Sequence, residues 1–233
     1  LTVHEFDEDN LLFVTKQGTV KRVTLESLNT ARKAGIRALT LAEGDELIAV
    51  MKTDGNQDIV LATADGMAIC FSENDVRVMG RDAAGVRGIA LSDGDYVVGA
   101  GIATEGKQLL TVTEHGYGKR TEIAEYMRLG ENGQRSPQQR GGKGLKNYNL
   151  TAKTGRVAGV AIVDDRDDVM LIESGGVLIR MAVSDINVYK RGTQGVILMR
   201  LEEGSRVISL ESVDREETEE DEAAAEPETN EPV

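Results

Sequence analysis

The chain has 233 residues, of which 40% are hydrophobic and only 3% aromatic, so its core must be mainly aliphatic. The net charge of −13 argues at first against a nucleic-acid ligand. No apolar run reaches about 18 residues, so we expect no membrane span. No signal peptide is visible either. Because the chain begins with Leu1, we expect a part of a longer polypeptide. Cys70 lies in an apolar run and is expected to be a reduced core thiol.

An internal repeat organises the chain. Four segments, 11–18, 59–66, 109–116 and 169–176, share an apolar run and a polar turn that ends in glycine. Each segment predicts the first strand and the turn of a β-hairpin, and the glycine favours a type I′ turn. His115 is therefore expected to be a turn residue rather than a ligand.

A second pair of strands follows in each repeat. The predicted halves are 36–41 with 46–50, 86–91 with 96–100, 145–150 with 156–163, and 196–201 with 206–210. Four strands in about 50 residues predict a propeller blade. One such sheet has too little core to stand alone, so the repeats 8–54, 55–104, 105–165 and 166–213 are expected to stack as one all-β domain over residues 1–213.

The segment 214–233 differs from the repeats in composition. It holds ten acidic residues and one basic residue, without apolar periodicity. This composition predicts a disordered acidic tail.

The link between the two hairpins of each repeat carries the positive charge. The four links, 29–37, 77–87, 128–146 and 190–200, hold fourteen basic residues and two acidic ones. Equivalent positions of stacked blades share one part of the rim, so we expect a basic stripe that suits duplex DNA. The candidate contacts outside the heptad described next are Arg32, Lys33, Arg37, Arg77, Arg81, Arg87, Lys146, Lys190 and Arg191, with Lys119 and Arg120 on a second strand.

The third link contains a glycine-rich heptad, residues 138–144, with the sequence Gln-Gln-Arg-Gly-Gly-Lys-Gly. Three glycines permit a close approach of the backbone to a ligand, and their amides can donate to phosphate oxygens. Arg140 and Lys143 add charge. No Ser or Thr follows the lysine and no helix follows the loop, so this is not a Walker loop.

The heptad resembles the gyrase A box, whose pattern is Gln-(Arg/Lys)-Arg-Gly-Gly-(Arg/Lys)-Gly. The segments 75–81, 85–89 and 109–121 are also similar to the carboxy-terminal domains of bacterial gyrase A proteins, and the resemblance covers residues 1–213. It implies a β-pinwheel, a propeller-like fold whose blades exchange strands, with duplex DNA wrapped around its basic rim. It assigns the role of the box to Gln139, Arg140, Gly141, Gly142, Lys143 and Gly144.

The resemblance also implies the biological setting. The domain would present a DNA crossing so that gyrase introduces negative supercoils, with no catalytic or metal site of its own and no cofactor. ATP and Mg²⁺ would act elsewhere in an A2B2 holoenzyme that contains the gyrase A N-terminal region and the gyrase B subunit. Such an enzyme lies in the bacterial cytoplasm, associated with the nucleoid.

Three departures from the family pattern stand out. Gln139 occupies a position where the family prefers Arg or Lys. The heptad lies in the third repeat, whereas the principal box of the family lies in the first of commonly six blades, so that box is expected upstream. The insertion 127–137 is either a neutral surface loop, which we favour, or an extra DNA-contacting loop.

Two other interpretations remain open at this point. One is the equivalent domain of topoisomerase IV, which usually lacks a recognisable box. The other is a propeller scaffold for protein partners. An independent enzyme is disfavoured, because the sequence shows no paired histidines, metal-ligand cluster or nucleophile elbow.

Overall fold

A computed structural model describes residues 2–3, 6–32 and 34–215. These residues form strands β1 (Asn10–Thr15), β2 (Thr19–Thr24), β3 (Leu47–Thr53), β4 (Asp58–Thr63), β5 (Met67–Ser72), β6 (Val86–Arg87), β7 (Val97–Ile102), β8 (Gln108–Thr113), β9 (Tyr117–Glu122), β10 (Arg128–Leu129), β11 (Arg135–Ser136), β12 (Leu145–Lys146), β13 (Val157–Val163), β14 (Asp167–Glu173), β15 (Leu178–Ala182), β16 (Val196–Ile197) and β17 (Val207–Asp214). Short 3-10 helices follow the second strand of each repeat, over Glu26–Leu28, Glu73–Asp75, Ile123–Tyr126 and Val183–Asp185. No helix in the described part of the chain has the length and apolar character needed to cross a membrane.

The strands assemble into four antiparallel sheets arranged as the blades of a propeller. The strand orders are β3-β1-β2-β6, β12-β5-β4-β7, β13-β8-β9-β16 and β15-β14-β17. The strands β10 and β11 form a separate small hairpin. The predicted all-β, propeller-like class is confirmed, although the fourth sheet has three strands rather than four.

The blades exchange strands, as the resemblance implied. The strand β6 belongs to the second repeat but pairs with β2 of the first, where Val86 lies opposite Val20. In the same way β12 pairs with β5 and β16 pairs with β9. We call these exchanged segments the arms.

The arms correct one prediction from the sequence. The segments 86–91 and 96–100 do not form a hairpin, and neither do their equivalents in the other repeats. The turn at Gly94 is present, but it connects two sheets, because β7 pairs with β4 of its own repeat.

Glycine is required where an arm crosses the neighbouring strand. Gly144 has a φ of +73°, and a Cβ at this position would overlap the carbonyl oxygen of Ala68 on β5. Gly85 and Gly195 hold the same position at the other two junctions. The equivalent Gly35 would have nothing within 4 Å of a Cβ, and residues 36–41 form no strand with the described residues. The fourth blade correspondingly has β15 at its outer edge.

The innermost strands surround the axis of the propeller. The strand β3 packs on β7, β7 on β13 and β13 on β17, and all four line one central cavity. Small residues permit this close approach: a Cβ on Gly159 would lie 2.7 Å from a methyl carbon of Leu210. The buried core between the sheets is mainly aliphatic, as the composition predicts.

The first hairpin of each repeat is present, but its turn is not of type I′. That turn needs two residues with positive φ, and among the described residues only glycines have positive φ. Gly18 has a φ of +79°, and its amide donates to the carbonyl of Thr15 at 2.9 Å. This is a type I turn closed by a left-handed glycine, which spares the preceding Gln17 a strained conformation. His115 lies in such a turn, as predicted.

The boundary of the predicted tail lies close to the last strand. The strand β17 extends to Asp214, the first residue assigned to the tail. Residues 216–233 lie outside the described residues, so the disorder of the tail remains a prediction.

Candidate nucleic-acid interface

The second, third and fourth basic links lie along the outer edge of the propeller, because each leads to an arm that forms the outermost strand of a blade. Arg87 lies on β6 and Lys146 on β12, while β3, β7 and β13 occupy the opposite edges of the same sheets. The exchange of strands therefore places these links on the rim, opposite the inner strands that surround the axis.

Most cations of the links are exposed to solvent. Exposed side chains belong to Arg32, Arg37, Arg77, Arg81, Arg87, Lys143, Lys146 and Lys190. Within residues 6–32 and 34–215, none of these eight forms a salt bridge. Lys33 was also predicted as a contact but lies outside the described residues.

Cations elsewhere in the fold are mostly paired with carboxylates. Lys52 Nζ lies 2.6 Å from a carboxylate oxygen of Asp7, and Arg180 Nε lies 2.7 Å from one of Asp168. Arg22 forms a buried pair with Glu73 at 3.2 Å. The positive charge available to an external anion is thus concentrated on the links.

Arg191 is an intermediate case. Its side chain is partly buried, and its Nε lies 4.0 Å from a carboxylate oxygen of Glu125. That Nε is one of two buried nitrogens without a hydrogen-bond partner among the described residues. The structure therefore places Arg191 beside the basic links without fully exposing its charge.

The structure corrects the expectation that Lys119 and Arg120 lie on the DNA-facing surface. Lys119 is 0% exposed and Arg120 5% exposed. Lys119 Nζ donates to the carbonyls of Asn147 and Lys190, each at 2.9 Å. Burial, together with the nearby Arg191, lowers the pKa of Lys119 to about 8. Both faces of β9 are covered by neighbouring segments, so the alternation of side chains along a strand exposes neither residue.

The heptad has a surface side and an interior side. Gln139, Gly142 and Lys143 are exposed, whereas Gln138 is 8% exposed and donates from Nε2 to the carbonyl of Tyr126 at 2.9 Å. Arg140 is partly buried, and its Nε donates to the carbonyl of Asp75 at 2.9 Å. A positive lysine therefore faces solvent, while the arginine faces the protein.

The heptad glycines approach protein rather than open space. The amide of Gly141 donates to the carbonyl of Gly88 at 2.8 Å, and the carbonyl of Gly142 accepts from the amide of Ala90 at 2.9 Å. Gly144 lies against Ala68, as described above. The amide of Gly141 is therefore not available to a phosphate, because it is already used by the segment that follows the neighbouring arm.

The predicted insertion forms the hairpin of β10 and β11. Leu129 lies opposite Arg135 in this hairpin and is 68% exposed. Arg128, Arg135 and Arg200 are exposed residues of the links that were not chosen as candidate contacts, although their position in the links was a usable signal. The neutral role favoured for this insertion stays a prediction.

Comparison with known proteins identifies similar chains. The sequence pattern described as "DNA gyrase C-terminal domain, beta-propeller" matches residues 9–54, 57–104, 107–134, 136–164 and 167–214. The gyrase A protein of Staphylococcus epidermidis is 43% identical over 215 residues, which cover 91% of this chain and 23% of that protein. The gyrase A protein of Escherichia coli K12 is 41% identical over 95% of this chain and 24% of that protein. The chain thus spans about a quarter of the length of these relatives.

Solved structures show the same architecture. The C-terminal domain of a DNA topoisomerase IV superposes with a TM-score of 0.83 and 28% identity, covering 96% of this chain and 67% of that one. A DNA gyrase A C-terminal domain superposes with a TM-score of 0.76 and 23% identity, covering 89% of this chain and 67% of that one. The second likeness concerns the fold alone.

Proposed function

Because the chain belongs to the family of DNA gyrase C-terminal domains, we propose that it binds duplex DNA and wraps it around the outer rim of the propeller. The observation that supports this most directly is the segregation of charge described above. Exposed link cations lack carboxylate partners among the described residues, whereas cations elsewhere are mostly paired. Phosphates that replace the solvent around these cations would release counterions from DNA and drive binding.

The recognition would depend on shape rather than on base sequence. The candidate contacts are arginines and lysines on short links, which suit phosphates. Bending a duplex around a rim favours deformable sequences without reading base edges. We therefore expect weak sequence selectivity.

In the longer protein the domain would act as an accessory element. It would present a DNA crossing to the strand-passage machinery, so that gyrase introduces negative supercoils. ATP and Mg²⁺ would be used elsewhere in an assembly with the gyrase A N-terminal region and the gyrase B subunit. This role places the protein in the bacterial cytoplasm.

The test is the salt dependence of duplex binding together with the topology of the bound DNA. With about six to ten phosphate contacts, the affinity should fall roughly 10³- to 10⁵-fold between 50 and 200 mM salt. Closing a nicked circle with ligase in the presence of the protein should yield a shifted linking number. An affinity that does not change with salt would contradict the proposal.

The same experiment separates the alternatives. The TM-score of 0.83 to a topoisomerase IV domain keeps that relative as a second candidate. Binding without a shift of linking number would favour it. A protein partner captured without any retention of duplex would instead favour a scaffold.

A further inference from the structure

One position on the second strand of each repeat alternates between lysine and isoleucine, and it is fully buried in the first three repeats. It lies three residues after the turn glycine and is occupied in order by Lys21, Ile69, Lys119 and Ile179. Lys21 and Lys119 are both 0% exposed. A fully buried lysine is rare unless its ammonium has partners, so the two lysines call for a structural explanation.

Each buried lysine joins two successive links. Lys21 Nζ donates to the carbonyl of Ala38 at 3.0 Å and to that of Arg81. Ala38 follows Gly35, the equivalent of the arm glycines, by three residues, and Arg81 lies in the link of the next repeat. The ammonium therefore fastens the segment after the first link to the second link.

Lys119 makes the same pair of contacts in the third blade. Its Nζ donates to Asn147, three residues after the arm glycine Gly144, and to Lys190 in the next link, both at 2.9 Å. It also lies 5.3 Å from the centre of the Tyr148 ring. In the first and third blades, a buried lysine ammonium thus donates to carbonyls of two segments where two successive links meet.

The second blade lacks this lysine, and the heptad takes its place. The carbonyl equivalent to those of Ala38 and Asn147 belongs to Gly88, and it accepts from the amide of Gly141 at 2.8 Å. The heptad lies directly over Ile69, whose terminal methyl carbon is 3.8 Å from where a Cβ on Gly142 would be. In the second blade a backbone amide therefore donates to the carbonyl that accepts from a buried lysine ammonium in the first and third blades.

Arg140 adds hydrogen bonds to the second blade and to the arm of the first blade. Its guanidinium donates to the carbonyl of Asp75 at 2.9 Å and to that of Arg87, which belongs to the arm. Its own amide donates to a carboxylate oxygen of Asp75 at 3.3 Å. The arginine thus joins the 3-10 helix of the second blade to the arm that completes the first blade.

We propose that the heptad is the clamp of the second blade, in which Arg140 and Gly141 replace a buried lysine and hold two successive links in register. Arg140 is then a positioning residue, and Lys143 is the residue of the heptad that contacts DNA. The DNA part of this inference rests on the proposed function. Arg87 and Lys146 flank the clamp on the rim, so its integrity sets the spacing between exposed charges.

The first experiment compares Arg140→Ala with Lys143→Ala. We expect Arg140→Ala to lower the melting temperature by roughly 5 °C and to weaken duplex binding several-fold without changing the slope of log affinity against log salt. Lys143→Ala should leave the melting temperature unchanged and reduce that slope by about 0.9, the value of one phosphate contact. Arg140→Lys, which keeps one donor group, should fall between Arg140→Ala and the parent and gives the same ordering if the alanine variant does not fold.

The second experiment is a rescue. Adding Ile69→Lys to Arg140→Ala places an ammonium where Lys21 and Lys119 have theirs, and should restore the melting temperature and the affinity. The matched control is Ile179→Lys in the same background, at the equivalent position of the blade that has no arm over β15. It should restore neither.

Three results separate the possibilities. If Arg140→Ala reduces the salt slope and leaves the melting temperature unchanged, Arg140 is a phosphate contact and the inference is wrong. If Ile69→Lys rescues no better than Ile179→Lys, the equivalence with the buried lysines is wrong. If the parent protein binds no duplex, the proposed function fails, while the melting temperatures still decide whether the heptad is a clamp.

Discussion

Glu73 is the residue whose removal should damage the fold most clearly. It is 0% exposed, and its Oε2 accepts from Arg22 Nη1 at 3.2 Å and from Thr53 Oγ1 at 2.6 Å. Its Oε1 accepts from the amides of Gly55 and Gln57, each at 2.9 Å. This single carboxylate from the second blade therefore fastens two strands of the first blade and the turn between β3 and β4.

The Glu73→Ala variant leaves a buried guanidinium without its carboxylate. Breaking a buried pair by removing one partner destabilises a protein by about 3–5 kcal/mol. For a chain of this size that corresponds to a fall of roughly 6–20 °C in melting temperature. The loss is a large share of the 5–15 kcal/mol that is typical of folded domains.

Urea unfolding followed by circular dichroism measures this loss, with the m-value as a check that the transition stays cooperative. The control is Glu105→Ala, which removes an exposed carboxylate and should change stability by less than about 0.5 kcal/mol. A loss below about 1 kcal/mol for Glu73→Ala would refute the reasoning.

A double variant tests the cause of the loss. The equivalent positions in the other repeats hold Leu25, Ile123 and Val183, all buried. Glu73→Leu combined with Arg22→Met should therefore recover part of the stability, because an apolar pair can replace a buried ion pair, whereas the amides of Gly55 and Gln57 still lose their acceptor. Glu73→Leu alone should not recover it, since it leaves the guanidinium of Arg22 without its carboxylate.

Three further predictions address the crossings, the buried lysine and the turns. Gly144→Ala should lower the melting temperature far more than Gly35→Ala, because both glycines have positive φ but only Gly144 abuts a neighbouring strand; equal losses would contradict the close-approach argument. Because burial lowers the pKa of Lys119 to about 8 from 10.5, the unfolded chain binds more protons between these values. The free energy of unfolding of the parent protein, relative to that of Lys119→Met, should thus rise by about 1 kcal/mol per pH unit above pH 8 in parallel urea titrations. A difference that does not change with pH would show that the pKa of Lys119 is not shifted. Asp95→Ala should lose about 1–2 kcal/mol in thermal unfolding, because its carboxylate accepts from two backbone amides, whereas the exposed Asp93→Ala should lose little.

Much of the fold could be predicted from local patterns. The turn glycines such as Gly18 and Gly94 mark real turns, because positive φ is a local requirement that sequence shows directly. The partner of a strand is not a local property. The sequence around Val86 suits pairing with its own repeat as well as with β2, and only the stacking of whole blades decides between them.

The rim was predictable in position but not in detail. Lys119 and Arg120 have the same sequence character as the exposed Lys190, yet they lie inside because neighbouring segments cover both faces of β9. Arg140 likewise has carbonyl partners that are distant in sequence, in Asp75 and Arg87. Charge density along the chain locates the basic links, whereas burial separates the charges that face outward from those that hold the blades together.

The strand exchange has a consequence for how such domains change in length during evolution. The unit that repeats in the sequence is out of phase with the unit that folds, because β6, β12 and β16 each complete a sheet begun by the preceding repeat. Duplication of one sequence unit would therefore add one donor arm and one acceptor edge together. Each new arm would then pair with an edge strand of the type it already pairs with. The number of blades, and with it the length of the rim, can therefore change without the evolution of a new interface.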